Sequence, residues 1–448
     1  MSRTMSRLCA GTLILVCSAL SGAQQSTAGN ATLSAPQNAV PAAPLRLTLA
    51  DALQRAKVLS PALALAAANV KIASENRVQA RAANLPTGAA VTTYIFTQGD
   101  GHGVQRFILN NAVHEYVGQL NAHEALSPPV IAQYRRSIVA ETITRDQLAI
   151  TQRGLLVTVV QSYATFVASD LKYKAQQQVT DAARDFLKTT QQLEAGGEIA
   201  RADVVKARIQ YTDSGVALQD AQLVRERDRV TLALLLFHDV DQEFEVVDDP
   251  GQTLPLPPLA DVQAQAVQHN PQLELAFDNE RAASSNITIA RTGYLPTFSF
   301  DYLYGIDATR VATRNGPLPN LGYSASGQMN WQLWNWGATR SQVKVAESRK
   351  QLAVADRMYA QRKLAADLEQ FYNEARVTQS EMAMRQTAAH DAEESLRLTT
   401  LQYKAGEATA LEVVNAQNTL SVEQNALQDT KIRYATAIAS LATLTGIL

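Results

Sequence analysis

The chain has 448 residues, of which 46% are hydrophobic and 6% aromatic, and its formal net charge is −2. A nearly neutral chain of this length has no electrostatic signature of nucleic-acid binding, so no nucleic acid is expected as a partner. Its only two cysteines, Cys9 and Cys17, lie near the N-terminus, which excludes disulfide, thiolate-metal and cysteine-nucleophile chemistry from the rest of the chain. Val16 is larger than the residue that precedes a lipid-attachment cysteine, so lipidation of Cys17 is not expected.

Residues 1–23 have the pattern of a secretory signal peptide. Arg3 and Arg7 precede an apolar run from Leu8 to Leu20, which is too short to cross a bilayer as a helix. Residues 24–45 are rich in Ala, Ser, Gln, Asn and Pro, and we expect them to form a flexible leader. No later segment has an apolar run long enough for a membrane helix. The mature chain is therefore expected either to be soluble in the periplasm or to cross a membrane as strands.

The remaining sequence reads as one unit used twice, because short segments recur at an offset of 209 or 210 residues. The recurring segments are Leu49-Ala-Asp51 and Leu259-Ala-Asp261, Pro61 and Pro271, Arg81 with Leu85-Pro-Thr87 and Arg291 with Leu295-Pro-Thr297, and Tyr163 and Tyr372. We therefore expect two structural repeats, at residues 46–250 and 251–448. Helical periodicity and proline breaks predict that each repeat begins with two helices. These predicted helices are 49–59 and 61–83 in the first repeat, and 259–268 and 271–292 in the second.

After each Leu-Pro-Thr break the period changes from helical to alternating, which predicts strands. In the second repeat, residues 297–304 and 323–333 alternate apolar and polar side chains around a Gly, Asn and Pro-rich loop at 305–320. The first repeat has a weaker pair of predicted strands, near 87–97 and 112–122, around a loop that contains Gly99-Asp-Gly-His-Gly103.

The alternation leaves two interpretations of these strands. They are either half-buried hairpins of a soluble protein or transmembrane strands of about 9–11 residues, with lipid on the apolar side and a lumen on the polar side. The second interpretation is favoured by Trp331, Trp334 and Trp336, which are all the tryptophans of the chain and cluster where the last strand ends, as an interfacial girdle would.

Two repeats of two strands give four strands, and four strands cannot close a barrel in hydrocarbon. Other copies of the chain would have to complete it. A dimer would supply eight strands around an interior filled by side chains, whereas a trimer would supply twelve and leave room for a channel. The polar inner face favours the wider barrel.

Behind each strand pair the sequence predicts a very long helix. Residues 338–401 contain neither proline nor glycine and would extend on the order of 100 Å at about 1.5 Å per residue. Small and apolar residues recur there at every seventh position, which is typical of a coiled coil. The first repeat has an equivalent segment that begins at Ser127-Pro128, an expected N-cap and first-turn pair, and ends near residue 193. Each long helix is expected to turn at glycine and return as a second helix, at 202–236 and 411–444.

The two turn segments, Glu194–Arg208 and Tyr403–Gln417, share a glycine, an acidic residue and a Val-Val pair at equal spacing. Together with the signal peptide, the twofold repeat, the strand pairs and the coiled-coil hairpins, they resemble the TolC-type outer-membrane efflux protein family. The resemblance covers essentially the whole mature chain from about Leu47. Its most specific signals are Tyr403-x-x-Gly406 followed by Glu412-Val-Val, the paired Leu-Pro-Thr breaks, and Trp334-Asn-Trp-Gly337.

The resemblance implies an α+β membrane protein made mostly of long α-helical coiled-coil hairpins, with four transmembrane β-strands per chain. As a homotrimer it would close a 12-stranded barrel in the outer membrane of a Gram-negative bacterium and continue as a helical tunnel into the periplasm. The implied function is that of an exit duct of a tripartite efflux or type I secretion system. It would passively conduct substrates that an inner-membrane transporter and a periplasmic adaptor, or membrane fusion protein, deliver.

The resemblance also implies roles for residues at the turns. Glu412 corresponds to a ring carboxylate at the tunnel entrance, Tyr403 to a gate tyrosine, and Asp203 to the acidic partner of that tyrosine. The chain departs from the family pattern at Asn415, where some members have a second ring aspartate, and at Lys206, which adds a positive charge. The residues implied to contact the adaptor are the tips Gly196, Gly197, Ala405 and Gly406. An alternative role for Glu412 and Asp203 is that of first-turn carboxylates that stabilise a helix N-terminus, and both roles can hold together.

No pattern in the sequence indicates catalysis, a cofactor or a metal. The six histidines are scattered with no pair at i,i+4, no nucleophile and base are paired, and Gly99–Gly103 lacks the lysine of a phosphate loop. We therefore expect no enzyme activity.

The alternative function is that of a soluble periplasmic coiled-coil adaptor or scaffold, but the glycine-rich β-domain of an adaptor is not visible. The transported substrate, whether drug, metal ion or protein, stays open.

Overall fold

The computed structural model describes residues 45–97, 114–247, 256–308 and 321–446. The predicted signal peptide, nearly all of the predicted leader, the loop at 99–103 and most of the loop at 305–320 lie outside these residues. The described residues of each half follow the same order of elements. Two short helices lead to two strands, and these lead to a long helix that turns and returns as a shorter one.

The elements of the first half are β1 Leu45–Leu47, α1 Leu49–Leu59, α2 Pro61–Ala82, β2 Thr87–Phe96, β3 His114–Leu126, α3 Pro128–Ala195, α4 Arg201–Leu236 and β4 Phe244–Val246. Those of the second half are α5 Leu259–His269, α6 Pro271–Thr292, β5 Thr297–Ala308, β6 Leu321–Asn330, α7 Ala338–Lys404 and α8 Ala410–Thr445. The long helices α3 and α7 have 68 and 67 residues, and α4 and α8 have 36 each. The helix bounds predicted from the sequence agree with these to within a few residues, while the repeat boundaries 46–250 and 251–448 remain a prediction.

Among the described residues, four of the eight helices begin with a side-chain cap, namely α1, α2, α6 and α8. Thr48 forms a capping box with Asp51 at the start of α1, and Ser60 accepts a hydrogen bond from the Leu63 N–H at the start of α2. Ser127 is the N-cap residue of α3 and proline follows it in the first turn, as predicted, but its side chain makes no cap hydrogen bond. The physical reason lies in the two prolines that follow, which have no N–H to donate, and in the Val130 N–H, which donates to the backbone oxygen of Ser127 at 3.0 Å.

The two halves meet in one antiparallel sheet with the strand order β2-β3-β5-β6. β5 continues to Ala308, beyond the predicted start of the loop at Gly305, because its pairing with β3 continues to Tyr116. Cross-strand partners lie on the same side of a sheet, so the register defines two faces. We call one the aromatic face, which carries Tyr94, Tyr116, Phe298, Phe300, Tyr302, Tyr304 and Tyr323, and the other the polar face, which carries Gln119, Asn121, His123, Asp301, Ser324, Ser326 and Gln328. The sheet therefore has the two-faced character that the alternation predicted.

Each half has its own buried core where short helices meet long ones. In the first half, Leu47, Val159, Tyr163 and Leu236 are fully buried, and the Tyr163 hydroxyl donates a hydrogen bond to the Leu47 backbone oxygen at 3.3 Å. There β1 and β4 pair in parallel. The core of the second half contains the buried residues Val262, Ala266, Leu273, Leu364, Leu368, Ala375, Tyr434, Ala437, Leu441 and Leu444. Many of these side chains are small, which lets the long helices approach closely.

Helix α3 is the centre of the helical region, since α2, α4, α6 and α8 all pack against it. This explains one departure from the sequence prediction. α3 contains an 18-residue window that is apolar and long enough for a membrane span, where none was expected after the signal peptide. Part of that window is buried against neighbouring helices, as in the core helix of a soluble domain. Packing on several sides makes a helix apolar around more of its circumference.

Asp146 on α3 lies near two carboxylates of α6, Glu274 and Asp278. Its Oδ2 atom is shielded from solvent and has no hydrogen-bond partner among the described residues. Burial, and then the negative charges of Asp278 and Glu274, raise the pKa of Asp146 to about 6. Since an unfolded aspartate has a pKa near 3.9, the folded chain loses stability as the pH rises through the interval between these two values.

We expect Asp146→Asn to raise the midpoint of thermal unfolding at pH 7.5, because it removes this buried charge. The gain should be about 1 kcal/mol after allowance for solvent screening, and it should vanish below about pH 4, where the carboxyl is protonated in both states. Circular dichroism melts of the purified protein at several pH values measure it. Asp181→Asn, at an exposed aspartate of the same helix, serves as the control. An equal gain at pH 4 and pH 7.5 would contradict the assignment.

Candidate functional site at the helix turns

Both hairpins turn through a glycine with left-handed backbone. α3 ends at Ala195 and α7 at Lys404, and Gly197 and Gly406 follow with φ values of 75° and 76°. In each turn a backbone N–H beyond the glycine donates to a carbonyl of the last helical turn, from Glu198 to Leu193 and from Glu407 to Gln402, both at 2.9 Å. Only glycine adopts this conformation without strain. The predicted tips, Gly196, Gly197, Ala405 and Gly406, are all exposed.

Beneath the turns, the two hairpins are joined by a small apolar cluster of Phe186, Ala207, Tyr403, Ala410 and Val413. These residues come from α3, α4, α7 and α8, so the cluster ties both hairpins together. Tyr403 is 6% exposed, and its ring meets that of Phe186 edge to face with centroids 5.0 Å apart. This geometry is the favourable one for an aromatic pair and adds to the stabilisation from burial.

The Tyr403 hydroxyl is shielded from solvent and has no hydrogen-bond partner among the described residues. Burial, and then the negative charge of Asp203, raise the pKa of Tyr403 above its usual range, so the phenol stays protonated. Asp203 itself forms an ion pair with Lys206 of the same helix, with Nζ and Oδ1 3.1 Å apart. The structure therefore brings Tyr403 and Asp203 into one region, and it pairs the Asp203 carboxylate with Lys206.

A cavity of about 250 Å³ lies beside Tyr403, between α3, α7 and α8. Gln417 lines it, is 2% exposed, and has an Oε1 atom without a hydrogen-bond partner among the described residues. Asp185 and Lys404 also line the cavity. Two buried polar atoms thus lack partners at the contact between the hairpins, which weakens that contact relative to a fully satisfied core.

Glu412 lies in the first turn of α8 and closes a capping box with Thr409. The Thr409 N–H donates to Glu412 Oε2 at 2.6 Å, and the Glu412 N–H donates to Thr409 Oγ1 at 3.3 Å. The hydrogen bonds that Thr409 donates to the Glu412 carboxylate, first from its backbone N–H and then from its side chain, lower the pKa of Glu412. Its charge is therefore retained at neutral pH. Both Glu412 and Asn415 are exposed, and the negative charge of Glu412 is free to face solvent.

The three tryptophans lie between the end of β6 and the start of α7, where the sheet adjoins the helices. Trp334 and Trp336 stack edge to face, with ring centroids 5.7 Å apart, and Trp336 is 89% exposed. The Trp331 indole N–H donates to the backbone oxygen of Tyr294 at 3.1 Å. Indole rings held in this way, exposed and partly hydrogen-bonded, are typical of a membrane interface.

Comparisons with known proteins agree with this architecture. Residues 262–447 match the family model described as "Outer membrane efflux protein". The chain is 23% identical over 382 residues to the pyoverdine export outer membrane protein OpmQ of Pseudomonas aeruginosa, a match that covers 84% of this chain and 80% of OpmQ. The second half of the chain, residues 262–447, therefore matches the outer membrane efflux protein family.

Solved structures show the same fold. The CmeC outer membrane channel of Campylobacter jejuni superposes with a TM-score of 0.78 at 16% identity, over 89% of this chain and 85% of CmeC. The outer membrane protein VceC of Vibrio cholerae gives a TM-score of 0.76 at 18% identity, over 89% and 96%. The predicted family resemblance, its efflux-channel function and its outer-membrane localisation are confirmed at this level.

The turn residues were predictable from the sequence, whereas Phe186 of the cluster below them and Gln417 of the neighbouring cavity were not predicted. Phe186 carries no sequence signal of its contact with Tyr403, because the two positions are distant in the chain. Gln417 did carry a signal, since it occupies an otherwise apolar stripe with Val413 and Leu420 on α8. For metals, the described residues contain no group of three or more His, Cys, Asp or Glu side chains placed to hold an ion.

We expect Gly406→Ala to destabilise the protein by about 1 kcal/mol, because alanine is strained at positive φ although its side chain would meet no neighbour. Gly215→Ala is the matched control, at an equally open position inside α4 without positive φ, and should stabilise by about 0.5–1 kcal/mol. Thermal melts of the two variants beside wild type measure both effects. Destabilisation of similar size by both substitutions would contradict the role of the left-handed turn.

Proposed function

We propose that the chain is the outer-membrane exit duct of a tripartite efflux or type I secretion system, and that it acts as a homotrimer. The single observation that carries this proposal is the four-stranded sheet, which has an exposed aromatic face and a polar face, and whose outer strands, β2 and β6, pair on one side only within the described residues. Three such sheets joined edge to edge would give a barrel of twelve strands, from three times four, with the polar faces lining a channel. Three sets of coiled-coil hairpins would continue the duct into the periplasm.

The proposed partners are a periplasmic adaptor, which would grip the exposed tips of both hairpins, and an inner-membrane transporter behind it. A passive duct takes its specificity from that transporter. The match to OpmQ covers most of both chains, and the name of OpmQ gives pyoverdine as the molecule that OpmQ exports. This supports a small organic molecule as the first class of cargo to test.

The proposed gate lies at the contact between the hairpins. Tyr403 packs on Phe186 and thereby holds the second hairpin against the first, so an opening movement of the second hairpin would separate these two rings. Asp203 lies near enough for its charge to act on Tyr403. Glu412 would contribute one carboxylate from each of three chains to a ring at the entrance, with the uncharged Asn415 one turn further along α8.

Localisation and oligomeric state test the proposal first. We expect the full chain, expressed in a Gram-negative host, to be recovered with outer membranes and to run as a trimer in native mass spectrometry. Cysteine pairs placed across β2 of one copy and β6 of another should cross-link, because the chain has no cysteine after Cys17 that would interfere. Recovery in the soluble periplasm would refute the duct and favour the alternative, a soluble periplasmic adaptor or scaffold.

For the gate, we expect Tyr403→Ala combined with Asp203→Ala to increase single-channel conductance in planar bilayers. The double variant removes the ring that packs on Phe186 and thereby loosens the contact between the hairpins. Tyr359→Ala, at an exposed tyrosine of α7, is the control and should leave conductance unchanged. Equal conductance in wild type and the double variant would remove Tyr403 and Asp203 from the gate.

The charge of Glu412 can be separated from its capping role. Glu412→Gln keeps a side chain that can accept the Thr409 hydrogen bond, so it should weaken block by multivalent cations without lowering the melting temperature. Glu412→Ala should weaken block and also destabilise α8 by about 1 kcal/mol, because the capping box is lost. Blocking concentrations are measured from currents with the cation on the periplasmic side. Block of equal strength in wild type and Glu412→Gln would exclude the carboxylate ring.

A further inference from the structure

The aromatic face of the sheet contains a groove of about 400 Å³ that has no role in the proposed duct. Its lining consists of Pro86 and three successive rows of cross-strand partners, of which the middle one, His123, Asp301 and Ser326, belongs to the polar face by register. The two outer rows lie on the aromatic face and consist of Glu124, Phe300 and Gly327, and of Ala122, Tyr302 and Ala325. The groove therefore runs over the two central strands β3 and β5 and onto β6.

The groove exists because small side chains flank two large rings. Phe300 and Tyr302 stand up from β5, while Ala122, Ala325 and Gly327 leave open space on either side. A Cβ atom at Gly327 would lie 3.5 Å from the Phe300 ring, which is ordinary van der Waals contact, so glycine is not required there by the backbone. An extended aliphatic chain fits a space of this shape and polarity.

Glu124 is the exception to the apolar character of this face. Its position directly opposite Phe300 in the register places its side chain among the aromatic residues and away from the polar face. Its Oε2 atom is shielded from solvent and has no hydrogen-bond partner in the parts of the chain that the structure describes. A carboxylate oxygen that is shielded from water and accepts no hydrogen bond is costly, and a cationic group bound to the same carboxylate would offset that cost.

The position of Glu124 along β3 indicates which molecules could supply such a cation. The residue lies two positions before Leu126, the last residue of β3, and so close to the end of the sheet that adjoins the helices. Trp331 follows the last residue of β6 at the same end of the sheet. Since interfacial tryptophans lie at the level of lipid head groups, Glu124 lies at that level too.

We propose that this groove binds a phospholipid with a primary ammonium head group. The ammonium donates hydrogen bonds to the Glu124 carboxylate, and one acyl chain lies over Ala122, Ala325 and Gly327 beside the rings of Phe300 and Tyr302. The inference rests on the proposed function, because it requires the aromatic face to meet lipid. The groove opens on the aromatic face over β3, β5 and β6, whereas barrel closure would use backbone hydrogen bonds at the edges of β2 and β6, in the plane of the sheet. A neighbouring subunit would therefore leave this face open to lipid.

The test uses the full-length protein purified in detergent and mixed with equal amounts of phosphatidylethanolamine, phosphatidylglycerol and phosphatidylcholine. Native mass spectrometry counts the lipids that stay bound to each complex. We expect wild type to retain phosphatidylethanolamine preferentially, and Glu124→Gln to reduce that retention roughly tenfold, since a charge-assisted hydrogen bond is lost. Gly327→Leu should lower retention with the carboxylate intact, because it fills the groove.

Glu115→Gln is the matched control, since it removes a glutamate of the same strand on the opposite face, and it should leave lipid retention unchanged. Equal retention of phosphatidylethanolamine by wild type and Glu124→Gln would overturn the proposal. So would phosphatidylcholine bound as tightly as phosphatidylethanolamine, because a quaternary ammonium has no hydrogen to donate. If the protein is recovered as a trimer in the outer membrane, either result refutes the lipid site and leaves the proposed duct intact. Recovery of a soluble protein would instead refute the proposed duct.

Discussion

The outer strands of the four-stranded sheet constrain the rest of the molecule. β2 and β6 each pair with only one neighbour among the described residues. In hydrocarbon an unpaired backbone N–H or C=O costs several kcal/mol, so a row of them cannot face lipid. A sheet with one aromatic and one polar face therefore needs further copies of itself before it can occupy a membrane. The long helices attached to the sheet must then assemble together as well, which couples membrane insertion to formation of the helical region.

The internal repeat supplies each chain with two strand pairs and two hairpins, but the two hairpins are not equivalent. The same order of elements, with long helices of 68 and 67 residues, gives each chain two similar hairpins. At the turns the copies differ, because Glu194 in the first corresponds to Tyr403 in the second, and Lys206 corresponds to Asn415. The second hairpin contributes Tyr403 to the cluster that joins them, at the position where the first hairpin has Glu194, and Tyr403 meets Phe186 of the first hairpin there. A repeat that preserves the backbone while changing these side chains can supply a fixed and a movable hairpin from one architecture.

The sequence predicted much of this fold because its periodic patterns are local. Proline, glycine and the change from helical to alternating period located nearly every helix and strand, and the bounds of α1 were predicted without error. The features that the sequence did not predict depend on contacts between residues distant in the chain. The apolar window of α3 reflects packing by several helices, and the contact of Phe186 with Tyr403 joins residues far apart. Glu124 was overlooked because the predicted strand ended near residue 122, whereas β3 extends to Leu126, and only its register with Phe300 shows which face Glu124 occupies.

Two tyrosines show where the helical region is firmly held and where it is not. In the first core, the Tyr163 hydroxyl is satisfied by the Leu47 backbone oxygen, beside the paired strands β1 and β4. At the contact between the hairpins, the hydroxyl of Tyr403 and the Oε1 atom of Gln417 are both buried without described partners beside a cavity. Buried polar atoms without partners lower the free energy needed to separate the surfaces that bury them, since water satisfies them on opening. The distribution of satisfied and unsatisfied polar groups therefore favours movement at the turns while the cores at the middle of the long helices stay closed.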